Sequence, residues 1–587
     1  MRLVHAAAAL PLLTLALPFA AVPFACGGTP HTPGFLPDAG AASDASAAPD
    51  QAAGPTFGDA AATIPGTCAT VDGGGTAAGC EFFTAEPDSC TQALNSCFAA
   101  YISNGGTTDV TIALDFGGSP ITNFADFARV PSGSGPSIKY GPLGGTAGNV
   151  VHAGQVAILF LAGPDPLDTF AIRCPAGVTP AFQGDAAQHG TGVGKAFHIH
   201  TDSLVTAYDI YPFGGGTSAY TAASLLLPTS AWDTNYIAVD AYSAFRPWIS
   251  IVGLQDGTQV TIRPTADIVS VGGLPGAAQG TTVKYSVNRG QVLQFTQDAE
   301  LVGSPITSTH PVGVFGGVSC MNVPDNADAW DTGHQQIPPV HALGSEYVYA
   351  RYRDRYEGIP ESPPVRIVGA VDGTILRYDP AAPSGAPATI GAGQMVEFDA
   401  GDVFTVSSQD NLHPFYVAAY MTGAGEYGPA PASGGETDGR GDPDFVNVVP
   451  PAQFGKSYVL FTDPTYPETE LVVVRQKGSS GFDDVQLDCL GGSITGWTDV
   501  GTSGKYQYAR VDLVTHGFIP QGNCDNGQHT MSSSSPFGVT VWGWGSASTG
   551  GEIDPTTGLG TPTYSQYVSY AYPGGTGIAA INPVVLQ

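Results

Sequence analysis

The chain has 587 residues, of which only 12% are charged, and it is rich in glycine (79) and proline (48). Few helix formers and many turn residues predict strands joined by turns, and the length predicts several domains. The formal net charge of −31 opposes contact with phosphate backbones, so the composition excludes nucleic acid as a partner.

An apolar run over residues 6–25 predicts a signal peptide at residues 1–25, and hence export. Small residues flank Cys26 as in bacterial lipoprotein signals, which predicts lipidation of Cys26 and a place on the outer membrane or cell surface. Pro23 and Phe24 depart from that signal, where a leucine and a small residue usually stand, so ordinary secretion is the alternative. No second apolar stretch reaches the roughly 20 residues of a membrane span, which leaves the lipid as the predicted membrane attachment.

Residues 26–66 follow as a stretch rich in Pro, Ala, Ser and Gly. This composition cannot bury enough apolar surface to offset the entropy lost on ordering. We therefore predict a disordered tether between the signal peptide and the folded part of the chain.

A repeat is the strongest pattern in the remaining sequence. Tyr236, Tyr347 and Tyr458 are each 111 residues apart, and each follows a proline-bearing junction. Two of the repeats continue into a strand, an Asp-Gly turn and a return strand, at residues 248–264 and 365–380. That pattern predicts β-hairpins.

Four similar strands, each after a Ser- or Thr-rich approach, end the repeats at residues 203–211, 310–317, 413–420 and 535–544. Four closing strands predict an all-β chain of about four tandem β-sandwich-like modules of roughly 110 residues. A propeller blade of about 40–50 residues fits the repeat length less well. The predicted modules are residues 67–222 (irregular, with a Cys-rich start), 223–334, 335–446 and 447–587.

Besides Cys26 the chain has eight cysteines, Cys68, Cys80, Cys90, Cys97, Cys174, Cys320, Cys489 and Cys524. An even number in an exported chain favours disulfides. Cys489 and Cys524 lie in the last module and are predicted to pair. The first four could pair among themselves in three ways, which would leave Cys174 and Cys320 to bridge two modules. No C-x₂-C pair occurs, so the spacing predicts no zinc site.

Several polar clusters invite a metal or catalytic interpretation. His198 and His200 share one face of a strand, and exposed strand histidines are the favoured interpretation over a metal pair. The Asp-rich loop at residues 323–336 offers oxygen ligands that suit calcium but matches no EF-hand order, so a bound cation is the disfavoured interpretation. The stretch at residues 436–444 contains Arg-Gly-Asp and is predicted to be a solvated turn. Nucleophile-elbow, Walker and zinc-protease motifs are missing, so no enzyme, metal or cofactor is predicted.

The order of several segments resembles the N-terminal domain of the IgG Fc-binding protein of mucus and similar domains of bacterial surface lipoproteins. These segments are residues 79–83, 224–236, 255–262, 289–295, 301–317, 335–340, 529–544 and 569–575. The resemblance covers about residues 78–575 and implies a non-catalytic, β-rich extracellular module. It brings no binding residues that map onto this chain, and the Fc ligand is not carried over.

A contact surface is predicted at Tyr352, Arg353, Arg355 and Tyr356, because this segment is locally basic and carries residue types common in interface hot spots. For the aromatic residues of the chain in general, packing in the sandwich core and at module junctions is the favoured interpretation. The predicted function is binding or adhesion toward an extracellular glycan, matrix polymer or protein. The alternatives are a surface spacer that self-associates and a secreted hydrolase.

Overall fold

The computed structural model describes residue 68 and residues 76–90, 93–164, 171–215, 220–242, 245–325, 330–428, 439–545 and 567–586. These residues form antiparallel sheets with very few helical turns, which confirms the all-β, sandwich-like class. The signal peptide, the tether and Cys26 lie outside the described residues. Within the described part, no helix has the length and apolar character needed to cross a membrane.

The first sheet runs in the order β4-β3-β11-β2-β8-β5-β6, with β1 and β12 added to β11, β7 to β3 and β9 to β8. The strands in this part of the chain are β1 (Gly79–Thr84), β2 (Phe98–Ser103), β3 (Val110–Phe116), β4 (Ser119–Ile121), β5 (Ala128–Ser132), β6 (Lys139–Pro142), β7 (Val150–Val151), β8 (Val156–Gly163), β9 (Phe182–Gln183), β10 (Gly192–Lys195), β11 (Phe197–Tyr211) and β12 (Ala222–Leu226), with helix α1 (Phe124–Phe127) after β4. β3 alternates buried and exposed residues, as a strand with one wet face does, whereas β8 is buried along its whole length.

The second sheet runs β10-β17-β14-β18-β15-β16, with β13 and β19 added to β18. Its further strands are β13 (Asp233–Ile237), β14 (Pro247–Gly253), β15 (Thr258–Ile262), β16 (Val283–Val287), β17 (Gln291–Thr296), β18 (Pro305–Met321) and β19 (Asp331–Ile337). The predicted hairpin at residues 248–264 is wrong, because β14 and β15 do not pair with each other. Both pair with β18, whose 17 residues are long enough to serve β15 at one end and β14 at the other.

The third part of the chain forms three smaller sheets, β20-β26-β23, β25-β21-β27-β28 and β22-β24. Its elements are β20 (Glu346–Tyr349), β21 (Pro364–Gly369), β22 (Thr374–Ile375), β23 (Arg377–Asp379), β24 (Thr389–Ile390), β25 (Met395–Asp399), β26 (Phe404–Ser407), β27 (Phe415–Met421), helix α2 (Ala424–Tyr427) and β28 (Asp444–Asn447). The second predicted hairpin is wrong for the same reason, since β21 and β22 belong to different sheets.

The last sheet runs β32-β31-β36-β30-β34-β33, with β29 and β37 added to β36 and β35 to β34. Its strands are β29 (Gly455–Thr462), β30 (Glu468–Gln476), β31 (Val485–Leu487), β32 (Gly492–Ser493), β33 (Thr498–Val500), β34 (Tyr506–Thr515), β35 (Ile519–Pro520), β36 (Gly527–Trp544) and β37 (Ser569–Pro573). We call β1–β9, β11 and β12 module 1, β10 and β13–β19 module 2, β20–β28 module 3, and β29–β37 module 4. The residue limits drawn from the sequence stay a prediction.

The three repeated tyrosines occupy the same structural position. Each buried hydroxyl donates to a carbonyl of its module's closing strand, Tyr236 to Val312 (2.7 Å), Tyr347 to Phe415 (2.6 Å) and Tyr458 to Phe537 (2.6 Å). Each also accepts the backbone N–H three residues earlier, at Asp233, Gly344 and Gly455. Both bonds satisfy the hydroxyl inside the core. The 111-residue spacing therefore marks one contact, which ties a strand near the start of a module to its closing strand.

The four modules meet along the last strand of each module. β12, β19, β28 and β37 pack in a cycle, each against the next and β37 against β12. The side-chain nitrogen of Gln335 on β19 lies 2.8 Å from the carbonyl oxygen of Ala223, and 3.0 Å from those of Phe445 and Ala571. These carbonyls come from the other three modules. The modules thus form a closed ring around four strands.

The ring closes between modules 1 and 4. Tyr208 donates its hydroxyl hydrogen to the carbonyl of Gly574 (3.1 Å), and Thr206 donates to that of Val459 (3.2 Å). Tyr101 donates to the buried carboxylate of Asp463, and burial raises the pKa of that aspartate. These contacts join segments more than 250 residues apart in sequence.

Four disulfides connect the eight described cysteines. Cys489 pairs with Cys524, the pairing that the sequence favours, and Cys68 pairs with Cys80. The prediction that the first four cysteines pair among themselves and leave Cys174 to pair with Cys320 is wrong. Cys174 pairs with Cys97, and Cys320 pairs with Cys90. The hydrogen bond from the Cys97 amide to the Ile172 carbonyl brings the 171–174 segment beside β2. Tertiary proximity, rather than closeness in sequence, decides both pairs.

Candidate ligand-binding surface

Two aromatic side chains stand together on the surface of module 2. Phe245 precedes β14 and Trp330 precedes β19, and their ring centroids are 5.6 Å apart at an angle of 31°. The residues are 53% and 39% exposed. Tyr242 and Trp248, which lie close to Phe245 in the sequence, are buried instead. Large apolar rings normally enter the core, so an exposed and mutually packed pair is informative.

A guanidinium lies next to this pair. The side chain of Arg246 is 51% exposed and its Nη2 is 3.4 Å from Oδ2 of the buried Asp88. The backbone carbonyl of Arg246 accepts a hydrogen bond from the amide of Ser319 on β18. We call Phe245, Arg246 and Trp330 the aromatic patch.

Asp88 is itself fixed in place. It accepts a hydrogen bond from the Gly190 amide (3.0 Å) and lies 2.9 Å from Nδ1 of His189. The other ring nitrogen of His189 is 2.8 Å from Asp185, and these two carboxylates, Asp185 first, raise the pKa of His189 to about 10. His189 is therefore a cation at neutral pH. The Cys90–Cys320 disulfide holds the same segment against β18.

The backbone under the patch is unusual. Phe245 and Arg246 have φ angles of 51° and 70°, in the left-handed region that bulky residues rarely adopt. Such a conformation costs about 1–3 kcal/mol and persists where the surroundings over-determine it, often at functional sites. The ion pair of Arg246 with Asp88 and the hydrogen bond from the Ser319 amide to the Arg246 carbonyl supply that constraint. The patch thus presents two rings and a cation in a fixed arrangement, which suits binding.

Comparison with known proteins places the chain in a family. The family model described as "IgGFc binding protein" matches residues 222–543, more than half of the chain. The chain belongs to this family. The human (Homo sapiens) IgGFc-binding protein is 25% identical over 302 residues, which cover 48% of the chain and 5% of that relative. The chain therefore matches a small part of a much longer protein. No solved structure gives a match.

The family match includes every residue of the aromatic patch, since Phe245, Arg246 and Trp330 all fall within residues 222–543. It also includes the contact surface that the sequence predicts at residues 352–356. The two regions have opposite environments in this family member.

The predicted contact surface is buried. Tyr352, Arg355 and Tyr356 lie inside the protein. Nη2 of Arg355 is 3.0 Å from Oε2 of Glu361, which is also buried, and Arg355 donates to the carbonyl of Thr422 (2.9 Å). These side chains brace module 3, so the structure corrects the prediction that they form an exposed contact surface.

Arg353, the fourth residue of that prediction, connects module 3 to module 4. It donates to Glu468 and to Asp512 (2.8 Å), and its guanidinium lies 4.8 Å from the ring centroid of Trp544. The local excess of positive charge is thus neutralised by carboxylates, at Arg355 by the nearby Glu361 and at Arg353 by residues from distant parts of the sequence.

Of the two histidines of β11, His198 is buried and has structural partners, which corrects the prediction that both are exposed. The ring nitrogens of His198 lie 2.7 Å from Asp115 and 3.0 Å from Glu81, so both are engaged. Arg289 of module 2 donates to Glu81 (3.0 Å). The hydrogen bond with His198, more than any other contact, lowers the pKa of Glu81 to about 2. This network joins modules 1 and 2, while His200 lies exposed beside it.

The prediction of a solvated turn at residues 436–444 is wrong for its described part, and residues 331–334 of the other Asp-rich segment are buried as well. Asp331, Asp442 and Asp444 are fully buried, and burial raises the pKa of each well above its usual range. His334 is buried too, 2.8 Å from Asp209. Asp328 and Asp438 lie outside the described residues. Because Asp442 is buried, the Arg-Gly-Asp tripeptide does not present its carboxylate at the surface.

One group in the described part of the chain, Asp488, Cys489 and His529, has the spacing of metal ligands. Cys489 is bonded to Cys524, and the nitrogens of His529 contact Asp488 (3.0 Å) and the carbonyl of Asp525 (2.7 Å). These residues are therefore occupied with one another.

Trp330 is the candidate binding residue that sequence reasoning missed. It stands in an Asp-rich segment that was considered for cations rather than for contacts. A signal was present, because the position 111 residues later is Gly441. An aromatic residue where the repeat does not need one indicates a role outside the common core.

Proposed function

We propose that this chain is an exported, non-catalytic binding protein that engages an extracellular protein through the aromatic patch. The observation that carries the proposal is the pair of Phe245 and Trp330, which pack on each other yet stay exposed beside Arg246. Aromatic residues and arginine supply most of the binding energy in protein interfaces. Membership in a family described as IgGFc binding supports a protein partner.

The charge of the chain narrows the kind of partner. A net charge of −31 attracts cationic proteins over long distances and speeds their association. At the patch itself, Arg246 offers a donor for a carbonyl or carboxylate, while the two rings accept an apolar side chain. A partner with a basic surface and a protruding apolar residue fits both conditions.

Attachment to the cell surface is a further part of the proposal. The small residues around Cys26 and the polar stretch that follows support a lipid anchor. In cells fed labelled palmitate we expect label on the wild-type chain and none on Cys26→Ala, which should instead be released to the medium. Equal labelling of both chains would exclude Cys26 as the lipidated residue.

The test of binding uses the chain without residues 1–26, presented to extracellular proteins, immunoglobulin G, mucins and glycans. We expect selective, saturable binding to a protein, weakened at least tenfold by the double substitution Phe245→Ala and Trp330→Ala. Leu412→Ala and Ile519→Ala are matched controls, because these residues are 52% and 54% exposed in other modules, and they should bind like wild type.

Two outcomes would overturn the proposal. Binding that the patch substitution leaves unchanged would place the contact elsewhere. If no tested molecule bound and sedimentation showed concentration-dependent self-association, the alternative function of a self-associating surface spacer would be favoured.

A further inference from the structure

The junction between modules 2 and 3 contains an open cleft. Its volume is about 240 Å³, and its walls come from the end of β15, the start of β18, the loop before β25 and the C-terminal segment at Leu586. Gly303 and Gly393 bring the two backbones together here, since a Cβ on either would meet the backbone of the other at 2.0–2.8 Å. A rigid backbone contact therefore forms one wall.

The chemistry of the cleft differs from that of the chain as a whole. Among the described residues that line it, none is acidic, although the chain has 51 acidic residues. Arg263 supplies the cation, is exposed, and within the described part of the chain makes no side-chain hydrogen bond or ion pair. A guanidinium without a partner in so acidic a protein is available for an external anion.

The lining also has an apolar part. Ile237, Pro305 and Ala370 form it, while Gln279 and Thr265 add amide and hydroxyl groups near Arg263. A sugar ring has the matching combination of an apolar face and peripheral hydroxyls. The volume is below the roughly 300 Å³ of a typical small-molecule site, so it suits one ring rather than an oligosaccharide.

At the junction of modules 3 and 4, the residue that corresponds to Arg263 contacts the facing loop and closes the gap. Arg263 precedes a proline at the end of β15, and Asp379 precedes a proline at the end of β23. The carboxylate of Asp379 accepts hydrogen bonds from the amides of Thr502 and Ser503 (2.9 Å each) in the facing loop of module 4. At the junction of modules 2 and 3, Arg263 stands in this position, and its guanidinium cannot accept hydrogen bonds from backbone amides. The facing loop therefore lacks such a cap.

We infer that the cleft is a binding site for an acidic sugar residue, with Arg263 paired to its carboxylate or sulfate group. The inference takes from the proposed function only that the chain is exported; it does not depend on the aromatic patch. Small contact area and one ion pair imply weak binding, with a Kd of about 1 mM for a monosaccharide.

The experiment is a titration of the chain without residues 1–26, in which ligand-observed NMR measures binding. The probes are glucuronic acid, N-acetylneuraminic acid, galactose 6-sulfate, glucose and inorganic sulfate. We expect at least one acidic sugar to bind at least tenfold more tightly than glucose and than sulfate, with affinity falling as salt is added. Whichever of the carboxylate and sulfate sugars binds identifies the anionic group.

Substitutions locate the site. Arg263→Ala should weaken the acidic sugar at least tenfold and Arg263→Asp, which imitates the closed junction, should abolish binding. Arg377→Ala is the matched control, an exposed arginine on β23, and should bind like wild type. Arg263 is a surface residue, and an unchanged melting temperature would verify that the variants fold.

The outcomes separate this inference from the proposed function. The inference would be overturned if acidic and neutral sugars bound with equal affinity, if sulfate bound as tightly as the acidic sugars, or if no sugar bound. It would also be overturned if Arg263→Ala bound the acidic sugar as tightly as wild type does. The double substitution Phe245→Ala and Trp330→Ala should leave sugar binding unchanged. If protein binding fails while the acidic sugar still binds through Arg263, the inference survives without the aromatic patch.

Discussion

The junctions on either side of module 3 use charge in different ways. At the junction with module 4, Arg353 contacts Glu468 and Asp512, and Asp379 caps the facing loop. At the junction with module 2, Arg366 pairs with Glu300 (3.1 Å) and Glu397 (2.7 Å) in the interior, but the outer side stays open at Arg263. A repeated module can thus be sealed on one side and hold a cleft on the other.

The difference follows from which charges have partners within the chain. A buried or half-buried arginine must be paired, because an isolated charge away from water is costly. An exposed arginine has no such requirement and stays available to a ligand. Substitutions at both junctions should therefore separate structural charges from binding charges.

The largest effect is expected from breaking the sealed junction. Arg353→Met removes the arginine partner of the buried Glu468 and one of the two arginines beside the buried Glu470, which also lies 3.7 Å from Arg510. Loss of one partner of such a group costs about 3 kcal/mol in the free energy of unfolding. Urea unfolding measures it, with the exposed Arg377→Met as control, expected within about 0.5 kcal/mol of wild type. A loss as small as the control's would show that these charges do not hold the junction.

A pH effect is expected at the junction of modules 2 and 3. Burial, assisted by the charge of Glu300, raises the pKa of Asp240 to about 8 from the ordinary value of 3.8. The folded state therefore holds this proton more tightly than the unfolded state does. The resulting stability is complete below pH 3.8 and is lost as the pH rises through 8.

Asp240→Asn removes this dependence. We expect the variant to match wild type in stability near pH 4 and to be more stable than wild type at pH 8, by a difference that grows as the pH rises between these two values. Unfolding at both pH values checks the sign. A variant that is less stable than wild type at pH 8 would mean that the charged carboxylate is favourable in place.

The smallest effect is expected from opening the cap of module 4. Asp379 is half-buried, and the hydrogen bonds that it accepts from Thr502, followed by those from Ser503, lower its pKa. Solvent screening limits the stability lost in Asp379→Ala to about 0.5 kcal/mol. Hydrogen exchange at the Thr502 and Ser503 amides should nevertheless quicken at least tenfold. Unchanged exchange would contradict the role of this cap.

The sequence predicts the parts of the fold that depend on local or periodic patterns. The spacing of Tyr236, Tyr347 and Tyr458 reflects a hydrogen bond that recurs in each module, and the closing strands lie within β11, β18, β27 and β36. The cycle of β12, β19, β28 and β37 could not be predicted, because its contacts join residues of different modules. The same limit applies to the Cys90–Cys320 pair, which spans 230 residues.

The site was harder to predict, because composition does not distinguish exposed from buried aromatic residues. Tyr352 and Phe245 both lie in segments that combine aromatic residues and arginine, yet one is buried and the other exposed. The carboxylates that neutralise Arg353 lie more than 110 residues away. Trp330 acquires its meaning only beside Phe245, 85 residues earlier in the sequence.

The most direct test of the central claim is hydroxyl-radical footprinting of the chain with and without its protein partner. Phe245 and Trp330 are exposed in the free chain and should lose most of their oxidation when the partner binds, while Leu412 should keep its own. A bound partner that leaves Phe245 and Trp330 as reactive as before would contradict the assignment of the aromatic patch as the binding surface.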